Sequence, residues 1–191
     1  MNCKCNENVT IKFSRENERC IIPSKRAFDA GADLYADPEQ RIIFIDPLET
    51  AMVSTGIRSI IPEDYYAQIQ ERGSTGIKAM KYGAGVIDSS YRGIWNVVIT
   101  NCNTKPLVIY DDARMEIDKI LEKISNMASV LDETLPLKEK LGNIILYPMS
   151  KGIAQFVLLP VPKINIEEVS INEILSNKTE RMEGKLGSSG K

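Results

Sequence analysis

Histidine is absent from the 191 residues, which removes the commonest general base and the commonest zinc ligand together. Catalysis by this chain must therefore use carboxylates, hydroxyls or thiols. Cys3-Lys4-Cys5 is a close pair, but Cys20 and Cys102 stand singly, so no Cys-x-x-Cys zinc framework is formed and the thiols read as reduced. No apolar run approaches the roughly 20 residues of a membrane span. The first eight residues hold no hydrophobic signal core, so the expected location is the cytoplasm;. A basic cluster with interleaved aromatics is also missing, and a net charge of -2 does not favour nucleic acid as a partner;. With 43% hydrophobic and 26% charged residues, the chain has the apolar content for one domain over residues 1–191;.

What is there reads as mostly β. Residues 9–13 alternate as an edge strand, 20–22 form a second short one, and 41–45 a buried one. Residues 52–61 continue the sheet, and 65–71 alternate as a strand exposed on one face;. Glycines then bracket Val86-Ile87, followed by Asp88, Tyr91 and Gly93, with the β-branched run 94–100 behind them. This pattern predicts a hairpin with an acid at its lip, and that acid is either a turn-stabilising Asp or a working carboxylate. Arg72-Gly73-Ser74-Thr75-Gly76 is either a plain turn or a loop whose glycines let backbone N–H groups approach phosphates;. Residues 106–110, 143–148 and 153–159 read as further strands. Between them, Ile117, Ile120, Leu121, Ile124, Met127, Ala128 and Leu131 make an apolar stripe at helical spacing;. Such a stripe has to be buried, on its own barrel, on a neighbouring subunit, or as a docking surface for another protein. Residues 178–191 read as a flexible, glycine-rich arm;.

The stretch Gly85-Val86-Ile87-Asp88-Ser89-Ser90-Tyr91-Arg92-Gly93 resembles the third motif of the trimeric dUTP diphosphatases (dUTPases), Gly-x-Ile-Asp-x-x-Tyr-x-Gly. Ala30-Gly31-Ala32-Asp33-Leu34-Tyr35-Ala36 resembles the first motif, Arg72-Gly73-Ser74 the second and Ile153-Ala154-Gln155 the fourth. Arg181 with Gly187-Ser188-Ser189-Gly190 resembles the fifth. The five fall in family order. The resemblance implies an all-β fold, a distorted β-barrel or jelly roll, with an inserted helical segment at 111–142. That insertion is similar in position to the extra segment of some phage dUTPases.

The resemblance also implies a homotrimer with shared active sites and Mg2+-dependent hydrolysis of dUTP to dUMP and diphosphate. Asp88 would be the general base, and Asp33 would meet the waters of the bound Mg2+. Gly85 and Ile87 belong to the segment that holds deoxyuridine, and Tyr91 would lie below the sugar and exclude a 2′-hydroxyl. Arg72, Gly73, Ser74 and Gln155 would hold the phosphates. The arm, with Arg181, Leu186, Gly187 and Ser188, would close over the nucleotide. Several positions depart from the family pattern. Gly73 takes the place of a serine, and Met182 and Lys185 those of glycines. Leu186 replaces the stacking aromatic. Lys151-Gly152 replaces an acidic-Arg pair, so any ion pair made by that arginine is expected to be lost. Two rival readings share the fold, a dCTP deaminase-like enzyme and a non-catalytic, regulatory relative.

Overall fold

A computed structural model describes residues 8–120, 122 and 142–179. The strands run β1 (Lys12–Arg15), β2 (Ala32–Leu34), β3 (Ile42–Ile45), β4 (Thr50–Ser54), β5 (Ile57–Ile60) and β6 (Tyr65–Gln70). They continue as β7 (Met80–Gly83), β8 (Val86–Ile87), β9 (Asn96–Asn101), β10 (Leu107–Tyr110), β11 (Ile145–Pro148) and β12 (Ala154–Pro160). Helix α1 (Gly73–Gly76) is a single turn, and α2 (Ile171–Ser176) lies near the C-terminus. The expected all-β class is what the described residues show. The helical stripe lies outside them from residue 123 onward, as do Leu121, Cys3, Cys5 and the arm residues Arg181, Leu186, Gly187 and Ser188.

Among the described residues the strands form four small sheets: β1-β5, β11-β10-β3, β2-β12-β6-β8 and β4-β9-β7. Period-two alternation decides which faces meet. Ala32 and Leu34 on β2, Ala67 and Ile69 on β6, and Ala154 and Phe156 on β12 are buried, while Asp33, Gln68 and Gln155 on the same strands point the other way. The buried set joins Trp95, whose ring packs edge-on against Phe156 at 5.2 Å and against Phe13 at 5.6 Å. The Trp95 indole N–H donates to Ser59 Oγ at 3.1 Å, so the one polar atom of that ring is paired in the core;.

Strand β10 is buried on both faces. Leu107 and Ile109 face the main core, while Val108 meets Ile120 and Ile144 in a second cluster with Phe44 and Met115. The described start of the inserted block thus packs on its own barrel. Its base is anchored by Asp111, 2% exposed and ion-paired to Arg19.

Three local expectations are corrected. Residues 20–22 are not a strand: the Cys20 N–H donates to Asn17, and Cys20 closes a turn with its thiol buried. The run 52–61 is two strands in different sheets, broken at Gly56, whose φ of +62° favours glycine and where a Cβ would lie 2.3 Å from Cys20 Sγ;. The hairpin expected over 85–100 does not form. Strand β8 pairs with β6, whose Ile69 N–H donates to the Gly85 carbonyl at 2.7 Å, and β9 lies between β4 and β7. Residues 88–95 cross from one sheet to the other, ending on the buried Trp95.

The chain divides into two compact units, Met1–Val161 and Pro162–Lys191. In the second, Ser170 caps α2 by accepting from the Glu173 N–H at 3.2 Å, and the described residues are all exposed;.

Candidate active site

Register builds the first half of the site. On β12, Gln155 stands opposite Asp33 of β2 on one side and Gln70 of β6 on the other. Because their neighbours along each strand are core residues, Asp33 and Gln155 project together from the outer face. Strand β6 delivers Arg72 two residues beyond Gln70. Its guanidinium forks onto Asp33, with Nε to Oδ1 at 2.8 Å and Nη2 to Oδ2 at 2.9 Å. Nη1 donates to the Gly152 carbonyl at 2.9 Å and to Ser74 Oγ at 3.3 Å. Burial opposes the charge on Arg72, but Asp33 more than restores it, and the pKa lies above the ordinary arginine value;.

Arg72 is also the cap of α1, held by its N–H donating to Thr75 Oγ1 at 3.0 Å. The first turn of a helix leaves N–H groups without partners inside the helix, so Gly73 and Ser74 present backbone donors beside the guanidinium. Gln155 Nε2 donates to the Glu71 carbonyl at 2.7 Å. Gln155 lies over Gly31: a Cβ there would sit 2.4 Å from Gln155 Oε1, and the glutamine side chain would have to move. Asp33, Arg72, Gly73, Ser74 and Gln155 thus line one open cleft of about 930 Å3.

The opposite wall was not foreseen. It is formed by Lys25, Arg26, Phe28 and Asp29. Arg26 Nε donates to Asp29 Oδ2 at 2.9 Å and holds that carboxyl below its usual range. The dibasic Lys25-Arg26 just ahead of the first motif was the available signal.

Asp88 and Tyr91 stand elsewhere. With Ile87, Met52, Asn96 and Val98 they line a second cleft of about 210 Å3. Ile87 is buried, whereas Asp88 is exposed and Tyr91 is 42% exposed. The turn is fixed by the Tyr91 N–H donating to the Asp88 carbonyl at 3.1 Å and by the Tyr91 hydroxyl donating to the Ile94 carbonyl at 3.1 Å. Tyr91 curls over Gly93, where a Cβ would lie 2.2 Å from its hydroxyl oxygen. Gly85 opens instead onto a neighbouring cavity of about 150 Å3 with Gln68 and Tyr82. Burial pushes the Tyr82 phenol up to about 12.

Sheet geometry separates the two acids. Continuing the β8 register puts Asp88 level with Tyr66, while Asp33 is level with Gln70 on the far edge of the same sheet. At about 3.3 Å per residue and 4.8 Å per strand, they stand roughly 20 Å apart in one chain.

The missing family arginine leaves no gap. A Cβ at Gly152 would lie 3.2 Å from Asp33 Cβ and 3.3 Å from Arg72 Cζ, so the ion pair of this site rests directly on the glycine backbone. The Gly152 carbonyl takes Arg72 as its donor.

Comparison with known proteins bears on the family. The dUTPase family profile matches residues 17–124. The deoxyuridine 5'-triphosphate nucleotidohydrolase of Candida albicans is 28% identical over 190 residues, 98% of this chain and 92% of its own. That of Variola virus is 32% identical over 97 residues, 50% of this chain; the match spans 64% of the length of the poxvirus relative. Among solved structures, Staphylococcus bacteriophage 80alpha dUTPase with dUPNHPP superposes with a TM-score of 0.65 at 22% identity, covering 95% of this chain and 99% of that one. That likeness shows a shared fold. With the family profile covering more than half of its residues, the chain belongs to the dUTPase family.

Proposed function

We propose that this chain hydrolyses dUTP to dUMP and diphosphate with Mg2+, in a homotrimer whose active sites combine the two clefts from different subunits. The observation that carries the reading is the cluster of Asp33, Arg72, Ser74 and Gln155 around one cleft, because a fork of cationic and neutral donors beside a carboxylate suits a metal-bound triphosphate;. The roughly 20 Å between Asp33 and Asp88 favours a shared site, since a base that far from the phosphates must act on a nucleotide held by a neighbour.

Mg2+ fits the donors present. Arg72 takes one position on each Asp33 oxygen, and a carboxylate has about four, so both oxygens can still accept from water;. Among the described residues no group of three or more carboxylates and thiols could hold a metal directly, which suits an ion that keeps its waters and leans on substrate phosphates;. Bound there, Mg2+ would supply charge neutralisation for the departing diphosphate. Asp88 would orient a water toward the α-phosphorus and take its proton, with no covalent intermediate. Arg72, Ser74 and Gln155 would hold the phosphates in line. Tyr91 would pack on the deoxyribose, and the arm from residue 178 would close over the site with Leu186 as an apolar lid.

Two variants probe this arrangement. Gly73→Ser adds a hydroxyl at the family's serine position, where a Cβ would meet nothing within 4 Å. The expected result is a KM for dUTP lowered about threefold to tenfold by one added phosphate hydrogen bond. An unchanged KM would place that phosphate out of reach of α1. Tyr91→Ala should narrow the preference for dUTP over UTP while leaving the melting temperature nearly unchanged, because the ring is half outside the core. A large fall in melting temperature with an unchanged preference would make Tyr91 structural. Diphosphate release from dUTP, compared with UTP, tests the assignment as a whole.

A further inference from the structure

The loop that leads into β2 brings two cations to the cluster of Asp33, Arg72, Ser74 and Gln155. Its base is closed by the Asp33 N–H, which donates to the Ser24 carbonyl at 3.2 Å, so Lys25 and Arg26 begin beside the acid of the cluster. Asp29 then folds the loop back on itself. The Asp29 carbonyl accepts from Lys25 Nζ at 2.7 Å, its carboxylate accepts from Arg26 Nε at 2.9 Å, and its N–H donates to the Arg26 carbonyl at 3.1 Å. The bond to Asp29 raises the Arg26 pKa above the ordinary arginine value, and the charge of Asp33 adds to the effect, so this guanidinium lies in the field of both acids;. Lys25 and Arg26 line the same cleft as Asp33 and Arg72.

Charge indicates what the two cations serve. Within the cluster Arg72 and Asp33 cancel, and Ser74 and Gln155 are neutral. A fully ionised triphosphate keeps about two negative charges after one Mg2+ binds, so the cluster alone leaves them unmatched. The other charged residues lining the cleft, among those described, are Lys25 and Arg26 against Asp29, and they leave it with an excess of positive charge. Neither cation is spent. In the described contacts Lys25 gives one of its three ammonium protons and Arg26 one of its five side-chain N–H groups, so both can meet an anion without breaking a present bond;.

We propose that Lys25 and Arg26 bind the terminal phosphate of the nucleotide and supply the charge that Arg72, neutralised by Asp33, does not. This rests on the reading of the larger cleft as the phosphate site. Both side chains are exposed and unpacked, which suits them to the end of the triphosphate that bears about half of its charge, while the reacting α-phosphate needs the fixed geometry of the cluster;. The consequence is selectivity: dUMP lacks the group they hold and leaves readily.

The test is calorimetric titration of the full chain with the imido analogue of dUTP and with dUMP, both with Mg2+. Lys25→Gln combined with Arg26→Gln should weaken the analogue about tenfold to a hundredfold and dUMP by less than about twofold. The melting temperature should hold, because both side chains are exposed;. Exchanging the cations, Lys25→Arg with Arg26→Lys, keeps the charge and should leave the analogue within about threefold of wild type. Three results overturn the proposal: analogue affinity within about twofold of wild type in the Gln pair, an equal loss for analogue and dUMP, or an equal loss in the Gln pair and the exchanged pair, which would make the shape of the loop responsible and not its charge. Should the Gln pair not fold, Arg26→Gln alone, which leaves Lys25 bonded to the Asp29 carbonyl, carries the same comparison against Arg26→Lys. If wild type does not bind the imido analogue, the reading of the cleft fails and takes this proposal with it.

Discussion

Asp88→Asn is expected to bind dUTP nearly as wild type does and to release diphosphate about a hundredfold to ten-thousandfold more slowly, the usual cost of losing a general base. The substitution is nearly isosteric, and the turn survives it, because the contact that fixes residue 88 runs from the Tyr91 N–H to the backbone carbonyl and not to the side chain. Asp88 is exposed on the rim of its cleft, so the amide strands no buried partner. Only proton acceptance is lost. Diphosphate release at the wild-type rate would remove Asp88 from the chemistry.

Arg72→Lys is expected to lower kcat/KM for dUTP by about a hundredfold to a thousandfold, although it keeps the charge. A planar fork meets Asp33 through two parallel bonds and still reaches Gly152 and Ser74, whereas an ammonium is a point charge with no such geometry;. The variant should fold, since Tyr147 still donates to the Gly152 carbonyl and Thr75 still caps the backbone of residue 72. Loss of affinity for the triphosphate in a protein with an ordinary melting transition is the expected pattern. Activity within tenfold of wild type would mean that charge alone suffices at this position.

The parts legible in the sequence are those where side-chain period and function coincide. Gln155 sits between core residues on β12, within a run read as a strand, whereas Asp33, flanked in the same way on β2, was reached only through the resemblance of its motif, because 32–34 was not read as a strand. Strands β6 and β12 alternate and were read nearly to their ends, while β10 and β11 were legible as short apolar runs. The hairpin over 85–100 was misread because nearness in sequence suggested pairing, whereas Gly85 can lie against the Ile69 backbone only because it has no side chain, which steers β8 onto β6. Long-range fit of that kind leaves no local pattern.

The break at Gly56 was hidden by β-branched residues on both sides, and its cause, the Cys20 thiol, is far away in the chain. Lys25 and Arg26 drew no reading at all, because nothing local says that their loop lines the same cleft as Arg72. At Lys151-Gly152 no arginine ion pair can form, and what stands there instead, a backbone carbonyl that accepts from Arg72 and Tyr147, is a contact that a side-chain reading could not anticipate.

The most direct test of the central claim is product analysis in 18O-labelled water with Mg2+ and a panel of dUTP, UTP, dTTP and dCTP. Attack of water on the α-phosphorus predicts preferential turnover of dUTP, with the label in dUMP and none in the diphosphate. Ammonia released from dCTP, label in the released diphosphate, or no turnover of dUTP would contradict it.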